Sequence, residues 1–215
     1  MSQVFKLYDS IKLDNNIPVK MRDGTILRAN IWQPNCAGRF PALLVRLPYS
    51  KDTFFASGSA HYMNSVRAVQ SGYAVVIQDC RGTGTSGGEF FPWRDDPTDG
   101  FDTIEWIAAQ PWSDGNVGMW GFSALGGTQW NAAITQPPHL KAISPSMTPT
   151  LNRGLPLMEN GSYYLFILLS WYLNMCNNLW RRSSLPAEKL KALRERLDYW
   201  SDHMDELLDY MPLKD

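Results

Sequence analysis

Only three cysteines (Cys36, Cys80, Cys176) and three histidines (His61, His139, His203) occur in the whole chain. The cysteines are odd in number, far apart and never in C-x-x-C spacing, which argues against a zinc site or a disulfide framework and suits a reducing compartment. An excess of one charge is lacking too: 20 Lys and Arg stand against 21 Asp and Glu, a net charge of −1. That balance gives no electrostatic reason to expect nucleic acid or an anionic membrane as partner. Long apolar runs are missing. The most apolar stretch, from Tyr163 to Cys176, is about 14 residues against the ~20 a membrane helix needs, and reads as a buried or pocket-lining helix. Met1 to Ser10 carries polar and charged residues where a signal peptide has its apolar core, so the cytoplasm is the expected compartment. There are no repeats and no low-complexity tracts.

What is present is the pattern of a layered α/β domain. Ile17–Met21 and Ile26–Trp32 flank Arg22-Asp23-Gly24-Thr25, and Asp-Gly between two extended runs predicts a hairpin. Four short, nearly continuous apolar runs follow: Pro41–Leu47, Tyr73–Gln78, Asn116–Gly121 and Leu140–Pro145. Such runs suit strands buried on both faces. Between them lie helical patterns over Ser59–Ser71 (stopped by Gly72), over a segment capped by Asp99 and running to Gln110, and over Ala124–Gln136, closed by Pro137-Pro138. A hairpin followed by alternating strands and helices predicts a largely parallel sheet with helices on both faces. From about Met147 the pattern becomes all-helical. Pro186–Met211 carries Leu190, Leu193, Leu197, Trp200, Met204, Leu207 and Leu208 on one stripe, with Ser184 placed to start it. The expected division is therefore a core over residues 1–150 and a helical cap over 151–215.

Gly121-Phe122-Ser123-Ala124-Leu125-Gly126 sits where a buried strand gives way to a helix. A nucleophilic serine needs that sharp turn to lift its hydroxyl above the sheet edge. Small residues must flank it because strand and helix nearly touch. The helix N-terminus also leaves backbone N–H groups free, so the Ala124 N–H is placed to stabilise an oxyanion. The usual G-x-S-x-G spacing is missed by one residue, since Leu125 stands where the second glycine belongs. A tight structural turn is the plain alternative.

Val117–Trp130 (VGMWGFSALGGTQW) nonetheless resembles the nucleophile turn of the cocaine esterase and X-prolyl dipeptidyl-peptidase family, whose pattern is G-x-S-Y-x-G. Three further stretches resemble that family in order: Pro48-Tyr49-Ser50-Lys51 its P-Y-x-K segment, Asp79–Phe90 its D-x-R-G-x-x-x-S-x-G-x-F loop, and Trp112–Asn116 the lead into the turn. The resemblance covers roughly residues 17–150 and implies an α/β-hydrolase fold with a helical cap. It implies acyl transfer to water from an ester or amide, with Ser123 as nucleophile, and the Tyr49 hydroxyl completing an oxyanion hole with the Ala124 N–H. The family's tyrosine after the serine is replaced by Ala124; the working group is the backbone N–H, so the role survives. Among the cap aromatics, Trp171 is singled out as a pocket wall. No metal and no cofactor are implied.

A rival enzyme reading comes from Gly82-Thr83-Gly84-Thr85-Ser86-Gly87, which spells G-x-G-x-x-G after a strand, with Asp102 20 residues beyond the first glycine. A dinucleotide loop must open directly into a helix. Here Gly88–Trp93 follows, which is no helix start, so the loop reads as structural, held by Asp79 and Arg81. Serine also needs a histidine and an acid, which in this fold follow the nucleophile. Only His139 and His203 come after Ser123, one beyond the helix leaving the turn and one inside the cap pattern; neither is well placed, nor is His61. In the family two more strands follow the cap and bring the acid and the histidine. The expectation is therefore a truncated chain, near background in activity, with self-association or pairing with a polypeptide carrying the rest as its non-enzymatic alternative.

Overall fold

The computed structural model describes residues 10–54, 64–148, 158–159, 162–180 and 185–209. The chain divides into two compact units, Met1–Thr150 and Leu151–Asp215.

The first unit is built on a six-stranded sheet. Strands β1 (Ile11–Lys20) and β2 (Ile26–Pro34) form the predicted hairpin. Gly24 takes φ +87° in its turn, and the Asp23 side chain accepts the Thr25 N–H at 2.9 Å. Strands β3 (Phe40–Leu47), β4 (Ala74–Asp79), β5 (Ser113–Phe122) and β6 (Leu140–Ser146) are mutually parallel, and β2 joins β4 antiparallel. The spatial order is β1-β2-β4-β3-β5-β6. Helices α1 (Lys51–Phe54), α2 (Ser65–Gln70), α3 (Asp96–Ala108) and α4 (Ala124–Ala133) supply the connections. The alternation along β3 and β4 explains the two-sided burial. Leu44 and Val76 belong to the cluster that takes in Ile104 and Ile107 of α3, while Val45, Val75 and Ile77 belong to the cluster with Val69 of α2. Side chains one residue apart point to opposite faces, so a central strand covered twice has no polar face to show.

Arg46 breaks that rule. It is fully buried near the end of β3. Its Nε donates to Gln78 Oε1 at 2.9 Å, and its Nη1 lies 3.0 Å from Asp96 Oδ1. Asp99 stands 3.7 Å from Arg46 Nη2 and accepts a two-pronged pair from Arg81, at 3.0 Å from Nε and 2.6 Å from Nη2. Arg81 in turn donates to Asp23 and Thr25 of the hairpin turn, at 2.6 and 2.7 Å. Two carboxylates at the start of α3 thus face two guanidinium groups, and the helix dipole favours the same arrangement. This corrects the predicted cap. The helix begins at Asp96, and Asp99 is a buried member of its first turn that serves Arg81 rather than the helix end. Helix α4 also ends sooner than its pattern, at Ala133, with Gln136 at φ +53° leading into the prolines.

In the second unit, α5 (Leu165–Trp180), α6 (Ala187–Asp202) and α7 (Met204–Asp209) follow a two-residue antiparallel pair, β7 (Met158–Glu159) and β8 (Ser162–Tyr163). The remainder is therefore not purely helical. The single helix predicted from Pro186 to Met211 is broken at His203, whose φ of −121° and ψ of 47° leave the helical region. Its ring stacks on Tyr199 at 4.2 Å. Pro186 is the residue at the start of α6; Ser184 lies outside the described residues. Among the described residues no helix is long and apolar enough to cross a membrane.

Asp99→Ala leaves two inward guanidinium groups short of a partner, and is expected to lower the unfolding free energy by about 3–5 kcal/mol in urea titration. The Asp23 carboxyl is held down to about 2 chiefly by its hydrogen bond from Arg81. Its contribution is complete above the unfolded carboxylate value of about 4 and fades as pH falls towards 2. It is exposed, so that contribution is small.

Candidate active site

Strand β5 delivers Ser123 to the carboxyl edge of the sheet. The residue is exposed and adopts φ 55° and ψ −125°, a conformation that a side chain with a Cβ rarely takes. Its N–H is bonded to Ser146 O of the neighbouring strand at 2.9 Å. Its carbonyl accepts from the N–H groups of Gly126 and Gly127 at 2.9 and 3.1 Å. The strained turn is therefore gripped from both sides. Ala124 opens α4 directly behind it, where a helical N–H has no partner within the helix.

The displaced glycine of the motif has a steric reason. A Cβ on Gly121, at φ +139°, would meet Leu125 Cβ at 2.6 Å, and one on Gly126 would meet Thr148 Cγ2 at 2.5 Å. Leu125 itself is buried in the cluster with Val45, Leu47 and Trp120. Position 125 anchors α4 to the sheet, and the small residue is needed one place later. Gln129 adds a polar tie: its Nε2 donates to Gly121 O at 3.0 Å, and its Oε1 accepts the Ser144 N–H at 2.9 Å. Thr128 Oγ1 donates to Arg46 O at 3.3 Å. Neither Gln129 nor Thr128 stood out in the sequence, because a polar residue in a small-residue helix looks like a solvent position.

Tyr49 follows β3 by two residues. Strands β3 and β5 are parallel neighbours, with Leu44 opposite Met119, so Tyr49 and Ser123 leave the same sheet edge from adjacent strands. Tyr49 and Ala124 pack against the same apolar cluster. The histidines stand differently. His139 precedes β6 at the opposite edge, about 20 Å of strand away from Ser123, and its Nδ1 lies 2.7 Å from Glu105 Oε2. His203 sits at the α6–α7 break of the second unit, and His61 lies outside the described residues. Trp171 lies on α5, half-buried, with its ring edge-on to Tyr172 at 5.2 Å.

The G-x-G-x-x-G loop holds no place for a pyrophosphate. Gly84, at φ +48°, presents its bare Cα to the Asp79 carboxylate, and a Cβ there would collide with it. The Thr85 N–H donates to Asp79 Oδ2 at 2.9 Å, while Gly82 N–H turns back to Gly87 O at 2.8 Å. The loop closes around the chain's own anion, and no helix begins until Asp96. Asp102, which a ribose would need, is paired with Arg22 at 2.7 Å. Cys80 is buried and its thiol is pushed up by that burial, which keeps it protonated and inert. Among the described residues no group of three His, Cys, Asp or Glu side chains is placed to hold a metal ion.

The strain at Ser123 yields a measurable sign. Ser123→Gly is expected to be more stable than Ser123→Ala by about 1 kcal/mol in chemical denaturation, because glycine alone adopts these torsions freely. Equal stabilities would mean that the turn is relaxed.

The sequence pattern of the X-Pro dipeptidyl-peptidase (S15) family matches residues 23–213. Cocaine esterase from a Rhodococcus species is 47% identical over 158 residues, covering 73% of this chain and 27% of that protein. A CocE/NonD family hydrolase from Staphylococcus aureus superposes with a TM-score of 0.56 at 34% identity, over 62% of this chain and 27% of its own. An α-amino acid ester hydrolase gives 0.54 at 30% identity, over 63% and 25%. The chain thus spans about a quarter of the length of each of these relatives. Strand order, parallel register and the turn after β5 give it the α/β-hydrolase fold, and the chain belongs to the X-Pro dipeptidyl-peptidase (S15) family.

Proposed function

We propose that this chain carries the nucleophile and oxyanion half of a serine hydrolase acting on an ester or amide. The observation that carries the reading is Ser123 itself: exposed, at a helix N-terminus, and held at φ 55° where a merely structural turn would favour glycine or asparagine. The Ser123 Oγ attacks the carbonyl carbon, the oxygen takes up negative charge, and the Ala124 N–H and Tyr49 hydroxyl donate to it. The tetrahedral intermediate then collapses, the alcohol or amine leaves with a proton, and water repeats the attack on the acyl-serine. His139 is at the wrong edge to take the serine proton, so the base comes from elsewhere in the polypeptide or from an associated one. The names of the relatives span esters and peptides, and the substrate class proposed here is correspondingly an activated or unactivated acyl ester or amide.

Acylation can be read without turnover. Incubation with p-nitrophenyl acetate is expected to place an acetyl group on the peptide carrying Ser123, detected by mass spectrometry, and Ser123→Ala abolishes it. Tyr49→Phe is expected to slow acylation by about 10²–10³-fold, the usual loss for one oxyanion donor. Nitrophenolate release unaffected by Ser123→Ala refutes the reading.

A further inference from the structure

Tyr49 lies in the short turn between β3 and α1. It follows β3 and precedes the four-residue α1, and between them Ser50 adopts φ +79°, costly for a residue with a Cβ. The turn is held by a carboxylate. Asp79, the last residue of β4, is fully buried and lies beside Leu47 in the parallel register. Its Oδ1 accepts the Lys51 backbone N–H at 2.6 Å. Its Oδ2 accepts the Thr85 N–H at 2.9 Å and the Thr85 hydroxyl at 3.2 Å. The Lys51 ammonium, buried as well, stands 3.4 Å from Oδ2 and donates to Thr85 Oγ1 at 2.8 Å. A charge with this many partners is fixed in place, and it fixes what it binds.

Resting on the reading of Tyr49 as an oxyanion donor, we infer that Asp79 is a positioning residue for acyl transfer, clamping the Ser50–Lys51 turn and so setting where the Tyr49 hydroxyl points. The clamp sits two residues from Tyr49, at the Lys51 main-chain N–H. Oxyanion donors act through preorganised geometry, and a misplacement of about 1 Å costs on the order of 10²-fold. The G-x-G-x-x-G loop thereby acquires a positioning role: Gly84 and Thr85 hold the carboxylate that holds the tyrosine turn.

The test labels the full chain with 3-fluorotyrosine and assigns the Tyr49 ¹⁹F resonance by its loss in Tyr49→Phe. In Asp79→Asn, which keeps size but removes the charge facing the Lys51 ammonium and leaves one oxygen for the two main-chain donors of Lys51 and Thr85, the Tyr49 resonance is expected to move towards that of free fluorotyrosine. The resonance of Tyr73, assigned through Tyr73→Phe, stays. Thr85→Val removes a side-chain donor while sparing both main-chain bonds; it is expected to shift Tyr49 the same way by a smaller step, and it serves if Asp79→Asn does not fold. A Tyr49 resonance unmoved in either folded variant overturns the proposal. Ser123 acylation by p-nitrophenyl acetate gives the second readout. Asp79→Asn is expected to slow it about 10²-fold with half-saturation unchanged, and to add nothing in a Tyr49→Phe background. An equal loss in both backgrounds overturns the positioning role. Failure of Ser123 to acylate in the unsubstituted chain defeats the nucleophile reading instead, and leaves the resonance to decide on Asp79.

Discussion

A guanidinium group with no access to water sets the terms for the first unit. Arg46 lies in the middle layer of the sheet, and burying its charge is affordable only because Asp96, Asp99 and Gln78 surround it. Those partners come from the start of α3 and from β4, and Asp99 hands the connection on to Arg81 and thence to the hairpin turn. The main chain of the same residue accepts from Thr128 on α4. One arginine therefore fastens both helices on its face of the sheet. An apolar residue would fill the space as stably, but would not dictate which turn of α3 faces β3. The buried charge is a device of register, and the edge carrying Tyr49 and Ser123 inherits its alignment.

Strands were legible because a run such as PALLVRL or YAVVIQ can only be satisfied by cover on both faces. The arginine inside the first run also demanded a partner, yet the sequence offers several carboxylates and names none. The same ambiguity misplaced the start of α3: Asp95, Asp96 and Asp99 are equally good caps in isolation, and only the distant Arg81 decides that Asp99 turns inward. The break at His203 was hidden for a different reason. The leucine stripe runs on across it, and a helix interrupted for a single residue keeps nearly the same periodicity.

At the candidate site, the serine turn was readable from the strand-to-helix change, but the meaning of Leu125 was not. A spacing rule records where glycine usually falls. It does not record that the close approach here is to Thr148 rather than to the strand. Likewise, G-x-G-x-x-G describes a backbone that can wrap an anion without saying whose anion it is. In this chain the answer is Asp79, and the loop is an internal cradle. Tyr49 was marked only by the Pro48–Lys51 segment and by following a strand. Its proximity to the serine edge follows from β3 and β5 being neighbours, which is a property of topology and not of either segment.

The torsions of Ser123 also bear on how this chain can drift over generations. In the serine codons that begin AG, one base change produces glycine, the residue best suited to φ 55° and ψ −125°. Folding stability alone therefore favours glycine at position 123. Where the hydroxyl is dispensable, the change to glycine relieves the strain at no cost to the turn. Serine at position 123 thus stands against the preference of its own backbone.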